Sequence, residues 1–304
     1  MLPAFTSIFL LYGLGFGIQR LSPLNDITLS QLAQLVVRVM MPIYLFYTTA
    51  AQTELEAVRL APVLIGLGIL VTVGNFILGT LALKPLQVPE EQRPAFRFSM
   101  MWTNTLFLAA PICGYLFGPE GLVYAVLFDF GSSLVTLTLG IWTLHGGKFS
   151  YWQSLVFNPL IWSVIAGLAW ASFNWSFPTW MAEPFELLGS ATLPLALLVG
   201  GATIGGIRTA ASASTRPLAG LTLARLGVAP FLVWMVIALA GWRGTIASVT
   251  IIEASMPVGL TASIIAQAYR ADARFVASAT LVSTVVSIFT APLLAILISF
   301  WFRP

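Results

Sequence analysis

The stretch Met101-Trp102-Thr103-Asn104-Thr105-Leu106-Phe107-Leu108-Ala109-Ala110-Pro111-Ile112-Cys113-Gly114 sets a proline and a knot of polar side chains inside a segment otherwise apolar enough to cross a membrane. Proline has no backbone donor and its ring clashes with the carbonyl one turn earlier, so a helix carrying Pro111 at mid-depth is expected to break or kink. In lipid, the backbone groups freed by a break are tolerated only where protein, a cavity or a ligand meets them, which makes the break a candidate binding site. A second knot, Glu253-Ala254-Ser255-Met256-Pro257-Val258-Gly259, lies about 150 residues further on. One interrupted segment in each half of a chain points to a transporter with a repeated architecture.

Working outward, the composition agrees. Of 304 residues, 58% are hydrophobic and 8% charged, with a mean hydropathy of +0.93. A soluble domain carries roughly 25% charged residues, so most of this surface is expected to meet lipid. The net charge of +3 is small, and its basic residues fall in short loops, where they orient a membrane protein rather than bind nucleic acid. One cysteine, Cys113, excludes an internal disulfide and a cysteine-built metal site. The lone His145 is read as a solvated loop residue. With no His-Glu-x-x-His and no Gly-rich stretch before Lys-Ser or Lys-Thr, neither an intramembrane metallohydrolase nor a nucleotide-driven pump is indicated, and the chain is not read as an enzyme. Met1 to Ile18 lacks a basic leader and a small-residue cleavage site, so it is counted as a retained helix.

At about 20 apolar residues per crossing, the fold is expected to be an all-α polytopic membrane protein in one domain over 1–304, with segments near 3–18, 28–51, 60–83, 96–117, 120–144, 155–173, 183–206, 217–240, 245–269 and 275–301. Arg20, Lys84, Arg93, Arg97, Lys148, Arg208, Arg216, Arg270 and Arg274 lie in odd-numbered connections, against only Arg59, Arg243 and Arg303 elsewhere outside the segments. The positive-inside rule then puts both termini outside the cytoplasm. Segments two and seven carry Pro42 and Pro194, and segments four and nine carry the two knots. Five helices per copy forces the second copy to enter from the opposite face, so repeats over 1–145 and 150–304 are expected to be inverted.

Four ionisable residues fall deep inside these spans, away from their ends: Arg38, Asp129, Arg225 and Glu253. Each costs roughly 2.5–3.5 kcal/mol at the bilayer centre on insertion scales, so each is expected to have a purpose. Mutual pairing inside the bundle is one; substrate or ion binding is the other.

The run Asn104 to Pro111 resembles the fourth-helix motif of the auxin efflux carrier family, whose bacterial members are described as permeases of malonate, malate and similar organic acids. Asn158-Pro159-Leu160, Arg225-Leu226, and Ser255-Met256-Pro257 followed by Ala262-Ser263 and Ala268-Tyr269 agree with it in order and spacing. The resemblance covers the whole chain. It implies ten helices in two inverted repeats, a scaffold of helices one, two, six and seven, and a transport unit in which broken helices four and nine cross. Two features depart from the plant carriers: the connection between segments five and six is short, and Ala262 stands where they have a second proline. Glu253 is also similar in place to a sodium-ligating glutamate of the bile acid sodium symporters.

The expected function is secondary transport, by alternating access, of a small organic anion such as malonate, malate or an auxin-like acid, in a bacterial-type cytoplasmic membrane. An anion channel or a membrane sensor is the alternative. Candidate substrate-binding residues are Asn104, Thr105, Pro111, Ser255, Met256, Pro257 and Arg38; candidate ion-coupling residues are Glu253, Asn104, Thr105, Ser255 and Asp129. A carboxylate at the depth of Glu253 needs either a cation against it or a proton on it. Sodium at Glu253 is favoured, with a proton as the alternative, and no other cofactor is expected. Lipid, the anion and a second copy of the chain in a homodimer are the expected partners.

Overall fold

The computed structural model describes residues 2–52, 55–144, 159–173, 175–207 and 215–301. The expectations placed on His145, Lys148, Asn158, Arg208 and Arg303 concern residues outside these ranges. Among the described residues every regular element is a helix. In chain order these are α1 (Leu2–Leu21), α2 (Asp26–Leu35), α3 (Met41–Tyr47), α4 (Leu55–Ala82), α5 (Arg93–Met101), α6 (Ala110–Val135) and α7 (Ile141–Leu144). There follow α8 (Pro159–Ser172), α9 (Thr179–Gly206), α10 (Thr215–Leu223), α11 (Ala229–Leu239), α12 (Gly244–Ala254), α13 (Ala262–Ala268) and α14 (Ala273–Trp301). Among the described residues six helical runs are long and apolar enough to cross a membrane, including Arg59–Ala82, Thr179–Gly206 and Ala273–Ile298. Within α6, Gly118 turns the chain sharply at φ 67°, a conformation that suits a residue without Cβ, and Pro119 restarts the helix.

Prolines shape the helices by a common rule. The residue just before Pro42, Pro111 and Pro230 donates its N–H five residues back, Met41 to Val36, Ala110 to Thr105 and Ala229 to Ala224. A π turn therefore ends two residues before each of these prolines, over Val36–Met40, Thr105–Ala109 and Ala224–Val228. The wider turn relieves the clash between the ring and the preceding turn and keeps the chain helical. Pro194, although placed like Pro42 in the sequence, sits inside the uninterrupted α9.

Two groups of helices emerge from the packing. α1, α2, α3, α8 and α9 pack mainly on one another, and α4, α5, α6 and α10 to α14 form the other group. Reciprocal glycines bring helix backbones together in each. A Cβ on Gly15 would lie 2.0 Å from the Leu198 carbonyl oxygen, and one on Gly201 would lie 1.9 Å from that of Tyr12, which fixes α1 against α9. Gly68 and Gly131 do the same between α4 and α6, 2.1 Å from the Phe128 oxygen and 2.0 Å from the Ile65 oxygen. Without a hydrophobic drive between helices in lipid, such backbone contact supplies the dispersion energy of association.

Candidate functional site

The two knots meet. α5 stops at Met101 and the chain runs extended through Trp102 before turning helical again at Thr105. α12 stops at Ala254, and α13 begins at Ala262. Between these ends, Thr103 and Val258 form an antiparallel bridge: the Asn104 N–H donates to the Pro257 carbonyl and the Gly259 N–H to the Trp102 carbonyl, both at 2.9 Å. Gly259 has no room for a side chain, since a Cβ would lie 2.3 Å from the Trp102 ring and 2.9 Å from the Thr103 carbonyl oxygen. The Val258 N–H is taken by the Ser283 hydroxyl of α14 at 3.1 Å. Three N–H groups freed by the breaks are thus spent on protein acceptors, because two short extended segments side by side satisfy each other as strands do.

Arg225, fully buried in the π turn before Pro230, reaches into this crossing. Its Nη1 donates to the Met100 carbonyl at 2.7 Å, its Nε to the Met256 carbonyl at 3.1 Å, and its Nη2 to the Thr103 hydroxyl. The two carbonyls belong to the C-terminal ends of the broken helices, where acceptors are orphaned and the dipole is negative. Arg93 forms an ion pair with Glu90 at 2.9 Å. The membrane-embedded acids and bases do not pair with one another at salt-bridge distance; Arg225 caps backbone instead.

Beside the crossing lies a cavity of about 250 Å³. Thr103, Asn104 and Thr105 line it from one break, Gly259, Leu260 and Thr261 from the other, and Asp129, Ser132, Ser133 and Thr136 from α6 and the turn that follows. Asp129 is held in place by the Thr105 hydroxyl, which donates to it at 2.5 Å, and Ser133 lies one helical turn further on. The Asn104 amide nitrogen is buried with no hydrogen-bond partner, and the Tyr12 hydroxyl of α1 lies beside that side chain. A buried donor without an acceptor costs about 1–3 kcal/mol, so this amide on the cavity wall is available to the Tyr12 hydroxyl or to a ligand. Val37, Phe107, Leu260 and Thr261 are shared with a second cavity of about 550 Å³, which Arg38 lines.

Glu253 stands in the last turn of α12, 1% exposed, and neither carboxylate oxygen has a hydrogen-bond partner. Arg225 and Asp129 are near enough to act on its charge. Of the other sequence-predicted residues, Pro111 is buried behind the π turn. Met256 and Pro257 are buried in the crossing strand, and the Ser255 hydroxyl donates back to the Ile252 carbonyl at 2.7 Å. Asn104, Thr105 and Asp129 are the predicted residues that the fold gathers onto one cavity wall.

The sequence pattern of the membrane transport protein family matches residues 2–149 and 147–295. The chain belongs to this family. Relatives within reach of this membrane transport protein include an uncharacterized transporter of Methanothermobacter thermautotrophicus, 28% identical over 96% of both chains. An uncharacterized transporter of Methanocaldococcus jannaschii is 24% identical over 84% of this chain and 85% of its own length. Auxin efflux carrier component 2 of Arabidopsis thaliana is 26% identical over 45% of this chain and 22% of its own. The family places the chain among multi-pass membrane transporters rather than enzymes, in agreement with the motif reading of both knots.

Sequence reasoning did not single out Thr103, Thr136 or Thr261 for this membrane transport protein, nor the backbone role of Arg225. Asp129, Ser132, Ser133 and Thr136 follow a spacing of three, four and seven residues, which puts them on one helix face. That polar stripe in an apolar helix is a signal the sequence does contain. The Arg225 partners lie far away in the chain, and no local pattern announces them.

Proposed function

We propose that this membrane transport protein is a secondary carrier of a small organic anion, a mono- or dicarboxylate of the malonate, malate or auxin-like class. The reading takes the chain as ten crossings in two inverted repeats, with both termini outside a bacterial-type cytoplasmic membrane. The observation that carries it is the crossing with its cavity: an unpartnered Asn104 amide donor at the N-terminal side of a restarted helix, where the dipole is positive and suits a carboxylate. The division of the helices into two packed groups, with the crossing inside one and the cavity also walled by Val37 and Leu160 of the other, supports alternating access by relative movement of the groups.

Glu253 is the coupling residue in this proposal. Its carboxylate lies at the negative end of α12, where a bare charge is disfavoured, so an accompanying cation is part of its working cycle. Sodium is favoured over a proton because of the symporter-like position of the glutamate. Uptake of labelled malonate, malate and indole-3-acetate into proteoliposomes, with a sodium gradient, a pH gradient or neither, tests the whole reading. Saturable uptake with countertransport is expected. Flux that rises linearly with concentration and shows no exchange would make the protein a pore.

A further inference from the structure

We infer that Arg225 is the built-in cation of the crossing, a positioning residue that locks the two breaks together and sets the cavity wall through Thr103. The Met100 carbonyl would accept from the N–H of residue 104 in a continuous helix; here that N–H goes to Pro257, and the guanidinium takes the orphaned oxygen at 2.7 Å. The Met256 carbonyl, beyond the end of α12, is taken by Nε at 3.1 Å. Two negative helix ends converge on one positive group, with no solvent between, since Arg225 is 0% exposed. The third arm of the same planar fork holds the Thr103 hydroxyl, and Thr103 lines the cavity next to Asn104. A lysine has the charge but not the fork, and cannot serve three acceptors in fixed directions. The positive charge is therefore supplied by the chain at the place where the broken helices' carbonyl ends meet, and any mobile ion acts at Glu253 rather than there.

The effect on substrate rests on the anion reading of the cavity, so the test has one arm that needs no substrate. Cys113 is the single cysteine of the chain and is 0% exposed on α6, just past the first break. In purified, monodisperse protein, Arg225→Lys is expected to speed the reaction of Cys113 with N-ethylmaleimide at least tenfold, because the crossing loosens. In proteoliposomes, Thr103→Val is expected to raise the KM for malonate at least tenfold with kcat changed less than threefold, and Thr103→Ser recovers most of that loss. Arg225→Lys combined with Thr103→Val is expected to be no worse in KM than Arg225→Lys alone, since both remove one link. Wild-type labelling of Cys113 in Arg225→Lys overturns the clamp; additive KM losses overturn its action through Thr103. Should Arg225→Lys fail to purify, Thr103→Val, which keeps both carbonyl bonds, decides by its KM and its rescue by serine. If none of malonate, malate and indole-3-acetate is transported by the wild type, the anion reading fails while the Cys113 arm still decides the clamp.

Discussion

The main-chain N–H of Asn104 donates to the carbonyl of Pro257 across 2.9 Å, so the residue that offers its side-chain amide to the cavity is fastened by its backbone to the other broken helix. A ligand held by Asn104 is felt by both halves of the chain. Substitutions at one break are therefore expected to register at the other.

Gly259→Ala tests the closeness of the crossing. The added methyl would lie 2.3 Å from the Trp102 ring, and overpacking of this kind costs about 1–3 kcal/mol. Thermal unfolding in detergent should show a lower Tm. Gly66→Ala, on α4 with open space around it, should leave Tm unchanged or slightly raised.

Asn104→Leu removes the unpartnered amide donor. A hydrogen bond to a charged group contributes about 1.5–3 kcal/mol, so the Kd for a transported carboxylate should rise about ten- to 150-fold. Titration calorimetry on the folded mutant measures it. An unchanged Kd would leave Asn104 as a backbone-supporting residue only.

Glu253→Gln keeps the shape of the side chain and removes its charge. Substrate binding is expected to survive, while uptake against a concentration gradient is lost under either a sodium or a pH gradient. A mutant that still accumulates substrate with wild-type ion dependence would move the coupling site away from α12.

The distribution of Arg and Lys predicts that both termini face away from the cytoplasm. A C-terminal reporter that is active only in the cytoplasm should give no signal, and a periplasm-active reporter should give a strong one. The opposite pattern would overturn the predicted placement of the C-terminus.

Much of this was legible in the sequence because prolines and charges in an apolar chain are rare enough to be individually informative. Pro257 marked one break, and the polar residues around Asn104 marked the other together with one wall of the cavity. Pro111 itself stays in the helix that restarts, because the π turn before it absorbs the clash, so the first break lies at Trp102–Asn104 and not at the proline. What could not be read was where freed backbone groups would go. Nothing local to Val258 points to Ser283 of α14, and nothing near Met100 points to Arg225. Those partners are chosen by the tertiary packing of α10 to α14 around the crossing. Arg38 does lie in an apolar helical run, Ile27–Ala51, but it lines the wider cavity and not the one beside the crossing, a distinction that no local pattern shows.

The π turns before Pro42, Pro111 and Pro230 have a consequence for how this chain tolerates insertions and deletions. Each holds one residue more than an α turn would, and one residue corresponds to about 100° around a helix axis. Shortening Thr105–Ala109 by any one residue, whatever its identity, would rotate the rest of the helix up to Gly118 and turn Ile112 and Cys113 out of their packing. Length in these five-residue windows is thus under stricter control than side-chain chemistry, and a gap there should be more damaging than most substitutions.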